Sequence, residues 1–527
     1  MTTALDPNNP TDAPAAHDDL AAENAHLKAE NQWLKEQLGL AKQRLFAPSS
    51  EKSPTGQEAL LFNEAEAAAV SDAPEPESET ITYTRRKQVG QRALNLSGLP
   101  VEEIVYQLPQ DEQICPACAG PLHAMGADMR TEIKIVPATI AVVKHIRTKY
   151  ACRHCQNHAL KTPILTAPMP VTAFPNSLAS PSAVAHIVCQ KFVEGSPLYR
   201  QQAALQRLGF DLSRQTMANW MLAGAAWLDK LYARLKMHLR KRVMVHADET
   251  TLQVLHEEGR AAQTQSTMWL YRSGRDGPPI VLFDYQPTRA GEHPRKFLAG
   301  FSGYLQVDGY AGYDSLSGVT LVGCWAHARR KFVEALNVLP TLARTKGGTP
   351  SHAGLAFCDA LFKIERDLHD VTPEARYTAR LERSQPVLTT LRAWLDTMDS
   401  QVLPKSLLGA ALTYCRHQWS KLTHFLRDGR LALDNNRAER SIKPFVIGRK
   451  NWLFANTAGG ARSSAILYSL VETAKENGLN PFPYLTYLFE QLPNVNLKDP
   501  QALDRLLPWA ETMQEQFHIP VKSRPNA

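Results

Sequence analysis

The sequence predicts a multidomain α+β protein: an N-terminal coiled coil, a zinc-binding module and a helix-turn-helix, then an α/β domain carrying a large helical insertion. Three observations predict it. Leucines recur at heptad spacing near the N-terminus, two CxxC pairs are matched, and from Arg242 onward β-rich runs alternate with helical ones around an almost wholly helical stretch. A chain of 527 residues is too long for one core and implies about three or four units.

Charge is unevenly placed. Residues 1–80 carry 15 acidic and 5 basic side chains, a net of −10 against +7 for the whole chain, so the remainder carries +17. A basic body behind an acidic head suits a polyanion such as DNA, although a merely soluble basic protein would show the same. No apolar run approaches the ~18–20 residues that span a bilayer. The N-terminus has neither the basic region nor the apolar core of a secretory signal. The expectation is a cytoplasmic protein with no membrane partner. Eight cysteines are too few for a disulfide scaffold, and in a reducing compartment their clustering points to metal.

Residues 1–17 are polar and Pro/Ala-rich, which predicts disorder. The coiled coil is expected over 18–46. Leu20, Leu27, Leu34 and Ala41 form one series of seven, with Asn24, Asn31, Leu38 and Leu45 offset by four. Asn in such a seam favours paired helices in register, hence self-association; a single amphipathic helix packed on the body is the alternative. Residues 47–100 read as an acidic flexible linker.

The zinc-binding module is placed at 101–170. Cys115 and Cys118 are separated from Cys152 and Cys155 by 33 residues. Each CxxC sets two thiolates on a tight turn, and two such turns complete a tetrahedron around Zn2+ at ~2.3 Å per bond. Four protein ligands leave no open position, so this zinc would be structural. A redox dithiol, the rival reading, usually needs one CxxC at a helix start. Between the pairs, "IKIVPATIAVVKHIRTKYA" alternates like a strand. Cys189, Cys324, Cys358 and Cys415 are scattered and read as buried small hydrophobes.

Residues 171–235 hold the helix-turn-helix candidate, "LYRQQAALQRLGFDLSRQTMANWML". Gly209 breaks the first helix and Ser213 caps the second. Arg214, Gln215, Thr216 and Asn219 then suit base edges and phosphates. Leu205, Leu208, Leu212, Met217 and Trp220 would bury the inner face. An ordinary helical hairpin is the alternative.

The α/β domain is expected over 236–475, with the insertion at 334–430 and a C-terminal helical segment at 476–527. "RVMVHADETTLQVL" alternates as a strand, so Asp248 and Thr250 share one side and Glu249 points away. "GYLQVDGYAGYDSL" ends a strand at Asp308, with Gly309 next, where backbone can approach a ligand closely; Asp314 is the spare carboxylate. The third acid, Glu439, lies alone among Arg437, Arg440 and Lys443 in "DNNRAERSIKP", a helix that Asp434 can cap. The order is strand with Asp, strand, strand, helix, strand with Asp, strand, helical insertion, helix with Glu. It fits a ribonuclease-H-like α/β sheet with the acids converging at one edge. Hard oxygen ligands suit Mg2+ or Mn2+. Two such ions ~3.5–4 Å apart can serve both the attacking and the leaving oxygen of a phosphodiester. Arg440, Lys443, Arg449 and Lys450 would contact DNA. Trp452 and Phe454 could stack on splayed bases, though such residues are more often core.

These segments resemble the insertion-sequence-66 family of DDE transposases, through "HADET", "VDGYAGYD", "CWAHARRKF", "DNNRAERSIKPFVIGRKNWLF" and "TAKENGLNPFPYLTYLFEQLP", over about residues 20–510. The resemblance implies Asp248, Asp308 and Glu439 as the catalytic triad, zinc at the cysteine quartet, and DNA binding by the N-terminal half. Arg330 sits in a matching motif as a DNA contact, and His327 and Asn436 in supporting places. One departure is "RLFAPSSEKSP", where the family more often has Gly and a basic residue after Phe. Family members often act with two small companion proteins of the same element. The function expected is a transposase that binds terminal inverted repeats, cleaves DNA and joins it to a target, on the bacterial nucleoid. The rivals are a metal-dependent nuclease or resolvase without strand transfer, a non-catalytic zinc-containing DNA-binding regulator, and a zinc-dependent interaction protein.

Overall fold

The computed structural model describes residues 139–151 and 164–520, together with positions 23, 24, 27, 30, 31, 34 and 37. The chain divides into two units, residues 1–48 with 145–519 and residues 49–144 with 520–527; every element named below belongs to the first. The four CxxC cysteines, Leu20, Leu38, Leu45 and the acidic linker lie outside the described residues. The described positions between 23 and 37 are helical and exposed, Leu27 and Leu34 among them.

The strand-like alternation between the CxxC pairs is realised only in part. β1 (Lys149–Ala151) pairs antiparallel with β2 (Ile164–Thr166), but residues 139–148 have no regular structure. Val142, Val143 and Ile146 are exposed there. Alternation without a surface to bury one face does not hold a strand.

Three helices follow: α1 (Pro181–Phe192), α2 (Leu198–Arg207) and α3 (Arg214–Arg240). Gly209, at φ +83°, makes the turn between α2 and α3, a conformation that costs a residue with a Cβ. The Ser213 hydroxyl accepts the Thr216 N–H at 3.1 Å and so caps α3. Leu212, Met217 and Trp220 are buried, whereas Leu208 is exposed, because α2 ends at Arg207 and Leu208 turns outward. α3 runs 27 residues, past the expected boundary at 235, with one apolar stripe from Met217 to Leu239 buried along its length.

The central sheet has the order β5-β4-β3-β6-β7, with β8 also paired to β3. β3 (Met244–His256) runs antiparallel to β4 (Gln265–Ser273), which runs antiparallel to β5 (Val281–Gln286). After α4 (Glu292–Phe297), β6 (Tyr304–Gln306) and β7 (Thr320–Val322) add in parallel. β4 is buried along almost its whole length, as a strand covered on both faces must be. The backbone of β5 is met by hydroxyls: Ser469 accepts the Phe283 N–H, and Thr473 accepts the Val281 N–H and donates to the Val281 carbonyl. An edge so occupied offers no template for another strand.

The insertion is helical, as its pattern predicts, but its first helix, α5 (Trp325–Asn337), begins before residue 334. α6 (Thr341–Lys346), α7 (Pro350–Asp367), α8 (Pro373–Met398), α9 (Leu407–His417) and α10 (Trp419–Thr423) follow. They bury a second core around Trp325, Phe332, Leu361, Leu391 and Phe425, to which Met244 of β3 and Val322 of β7 also belong. The chain returns to the sheet through α11 (Asn436–Trp452), β8 (Phe454–Thr457) and α12 (Ala458–Glu476), and ends in α13 (Pro481–Gln491), α14 (Pro500–Asp504) and α15 (Glu511–Phe517). Among the described residues, no helix is long and apolar enough to cross a membrane.

Candidate carboxylate site

Two of the three candidate acids are positioned by strand register. β3 and β6 pair in parallel with His246 opposite Gln306. Asp248 and Asp308 each lie two residues further on, so period-two alternation directs both to the same face at the same level of neighbouring chains. Gly309, at φ +106°, turns the chain immediately after Asp308. That turn lets the Tyr310 N–H donate to Asp308 Oδ1 at 2.9 Å, while the Tyr414 hydroxyl of α9 donates to the Asp308 carbonyl at 2.8 Å. The insertion therefore buttresses one acid directly.

Glu439 arrives on the first turn of α11, and Asn435 fixes where that turn sits. Its Nδ2 donates to the Ala247 carbonyl at 2.8 Å and its backbone N–H to Cys324 Sγ at 3.2 Å. Its Oδ1 lies 3.0 Å from His246 Nδ1. Burial holds His246 neutral, pushing its pKa down to about 3, so its Nδ1–H is the donor to Asn435. One buried amide thus ties the Glu439 helix to the residues flanking Asp248. The Asp434 carboxylate accepts an N–H of the first turn, as the sequence suggests, although it is not the cap residue itself. Asn435 holds the cap position, and Asp434 Oδ1 accepts the N–H of Asn436, whose side chain donates to Asp434 Oδ2. A second anchor is Arg272 of β4, which donates to Ser441 Oγ at 2.5 Å and forms a two-pronged pair with Glu476 at 2.9 and 2.8 Å.

The other acids act on Asp248. Burial first, then Glu249, Asp308 and Glu439, push the Asp248 carboxyl up to about 7. Glu439 has little to offset its charge. Arg330 Nη2 lies 3.4 Å from its Oε2 and His327 Nδ1 3.8 Å from its Oε1, and neither that Oε1 nor that Nδ1 has a hydrogen-bond partner. Burial lowers the His327 pKa while Glu439 opposes the shift. Among the described residues, Cys324, His327 and Glu439 are the trio whose ligand atoms all lie within 4.8 Å of one another. Asp248 and Asp308 are not part of that trio. Glu249 is occupied elsewhere, accepting from Arg289 Nε at 2.9 Å and from the Tyr313 hydroxyl at 2.6 Å. Asp314 pairs with Lys421.

The basic candidates divide. Arg440, Lys443 and Lys450 are exposed on α11. Arg449 instead turns to β3, donating to Thr250 and Thr251 at 3.2 and 3.3 Å. Arg214, Gln215 and Asn219 are exposed at the start of α3, where Gln215 donates to Asn219 at 3.1 Å; Thr216 is half-buried. Trp452 packs on Phe192 and Tyr468, while Phe454 is exposed. Sequence reasoning missed Asn435, Arg272 and the contact of Cys324 with Asn435. The repeated Asn in "DNNR" was the one visible signal.

Half-buried carboxylates beside a basic helix suit a hard cation and a polyanion. Comparison with known proteins agrees. A family model described as "Transposase IS66 family" matches residues 176–463, and one for the IS66 C-terminal element matches 469–509. A "zinc-finger binding domain of transposase IS66" matches 112–156, and a "Transposase C of IS166 homeodomain" matches 33–104. Three uncharacterized proteins of Sinorhizobium fredii (strain NBRC 101917 / NGR234) are similar over most of their length. y4jD is 32% identical over 84% of this chain and 86% of its own, y4hP 29% over 82% and 78%, and y4qI 31% over 78% and 75%. The chain belongs to the IS66 family of transposases. Its zinc-finger match spans both CxxC pairs and supports a structural zinc; its transposase match implies a divalent metal and DNA as partner.

Proposed function

We propose that this chain is the catalytic transposase of an insertion sequence, one that binds the element's terminal inverted repeats, cuts at its ends and joins them to target DNA. The observation that carries the reading is the parallel register of β3 and β6, which sets Asp248 in β3 and Asp308 just past the end of β6 each two residues beyond the paired His246 and Gln306, with Glu439 close enough to act on Asp248. The strand order, antiparallel on one side of β3 and parallel on the other, supports a ribonuclease-H-like core.

The residues present fit a divalent cation. Three carboxylates supply hard oxygen donors, Glu439 Oε1 has no hydrogen-bond partner, and burial, followed by the neighbouring acids, pushes Asp248 towards protonation. Asp248, Asp308 and Glu439 would hold Mg2+ or Mn2+, which when bound supplies charge neutralisation at phosphate oxygens and favours an attacking hydroxyl. Arg330 would hold a phosphate beside Glu439, and Arg440, Lys443 and Lys450 would steer the backbone. Asn435 and His246 would keep the Glu439 helix in place while DNA binds. Cys115, Cys118, Cys152 and Cys155 would ligate the zinc, and the heptad would pair two protomers so that both ends are held together. The work would be done in the bacterial cytoplasm, on the nucleoid.

The test is to incubate the purified chain with its own element ends and Mn2+, mapping cuts, and in parallel to supply pre-cut ends with a target plasmid. Joined product is expected. Cleavage without joining would identify a nuclease, and neither activity would overturn the reading.

A further inference from the structure

Beside the carboxylates, on the opposite flank of the first turns of α11, lies a cavity of about 210 Å³. Five guanidinium groups line it, from three separate parts of the chain: Arg275 after β4, Arg376 and Arg430 from the insertion, and Arg437 and Arg440 from α11. It shares Arg275, Arg376 and Arg430 with a wider opening of about 360 Å³, where Asp276 and Asp370 lie. The carboxylates in the narrower cavity are committed. Glu365 forms a two-pronged pair with Arg380, and Asp434 accepts from the start of α11. Three of the arginines are partly engaged: Arg376 with the carbonyls of Leu368, His369 and Gly429, Arg430 with Asp428, and Arg437 with the Gly274 carbonyl. Arg275 and Arg440 are exposed, and their guanidinium groups make no hydrogen bond or ion pair with any described residue. Like charges crowd: Arg272, Arg275 and Arg440 all act on Arg437. Of the five guanidinium groups only that of Arg430 holds a carboxylate of a described residue in an ion pair, and an excess of positive charge gathered in one cavity favours an anion there. The N-terminus of the 17-residue α11 adds its dipole to the same sign.

We propose that this cavity is a second phosphate site, which grips a phosphodiester of the DNA strand running past the carboxylates. The planar fork of arginine matches phosphate oxygens in pairs, and two arginines with open donors at the rim supply it. The insertion is then a jaw. It brings Arg376 and Arg430 against Arg437 and Arg440, so the strand is clamped between insertion and sheet. This rests on the function proposed above, and the test separates the two.

All arms use the full chain with Asp248→Asn, which prevents cutting while sparing the zinc that a chelator would strip. Inorganic pyrophosphate, at ionic strength matched with chloride, is expected to raise the melting temperature of this chain but not when Arg275→Glu is added. A fluorescein-labelled duplex carrying one element end is then titrated between about 50 and 200 mM salt. Arg275→Glu is expected to weaken binding about tenfold and to lower the salt slope by about one, as loss of one phosphate contact does. Arg275→Lys should retain most of the affinity, and Lys498→Glu, an equal charge change away from the cavity, should retain nearly all. Equal stabilisation of both chains by pyrophosphate, or equal losses for Arg275→Glu and Lys498→Glu, overturns the phosphate site and leaves the transposase reading standing. Absence of DNA binding by the chain without the Arg275 change overturns both.

Discussion

Two charged centres lie within one unit of this chain, and they are built on opposite terms. In the insertion, Arg380 is 1% exposed, yet every guanidinium proton is used. It pairs with both oxygens of Glu365 at 2.7 Å and donates to the carbonyls of Phe425, Asp428 and Leu431 at 2.8–3.0 Å. At the sheet, Asp308 and Glu439 both act on Asp248, and Glu439 Oε1 and His327 Nδ1, 3.8 Å apart, have no hydrogen-bond partner. The first centre is complete within the protein and holds the insertion together. The second is left only partly matched, as the proposed binding of a divalent metal would require. A buried charge that is fully matched marks architecture, and one left unmatched marks a place where a ligand is to arrive.

The sharpest way to break that contrast is to neutralise each centre in turn. Asp308→Asn or Glu439→Gln should cut strand cleavage by at least about 10³-fold, ~4 kcal/mol of barrier, with the melting temperature unchanged or higher. A fall in stability matching the fall in activity would mean that these acids too are structural. Arg380→Ala should do the reverse: a loss of about 3–5 kcal/mol, read by denaturant unfolding, because half-buried Glu365 and the carbonyls of Phe425, Asp428 and Leu431 lose their donor. Arg380→Met with Glu365→Leu should recover much of that loss. Asn435→Ala lies between the two centres in kind. It strands the His246 N–H and the Ala247 carbonyl, which should cost about 1–3 kcal/mol and lower metal-dependent cleavage as well.

The smallest effect concerns pH. The folded Asp248 pKa of about 7 lies above its ordinary value of 3.8, so the folded chain binds the extra proton. Its contribution to stability is therefore full below about pH 4 and is lost as pH rises to about 7. With no divalent metal added, Asp248→Asn should raise the melting temperature at pH 8 by about 2–4 °C, as ~1 kcal/mol does for a domain of this size. The gain should vanish near pH 4. Added Mn2+ should stabilise the unsubstituted chain more than the variant.

Much of the sheet was legible in the sequence because its signals are local. The alternation around Asp248, the Asp308-Gly309 break and the basic helix bearing Glu439 each lie within one short segment. What holds them together was not legible, because it is long-range. Asn435 bonds to Ala247 across 188 positions and Arg272 to Glu476 across 204, and no local pattern records such pairs. The alternation at 139–148 misled for the converse reason, since periodicity reports a face only where another surface exists to cover it. Leu208 was misread through a helix that ends one residue earlier than its pattern suggests.

The unbroken helix from Arg214 to Arg240 has a mechanical consequence. Its 27 residues make a rod about 40 Å long, stapled near its far end by Tyr232 to the Phe283 carbonyl and by Arg240 to the Phe297 carbonyl. In the proposed function, DNA bound at the polar tip would be held at a set reach and a set angle from the acids. One residue added mid-rod would swing the tip by about 100°, so the residue count of a single helix sets the phase between holding and cutting.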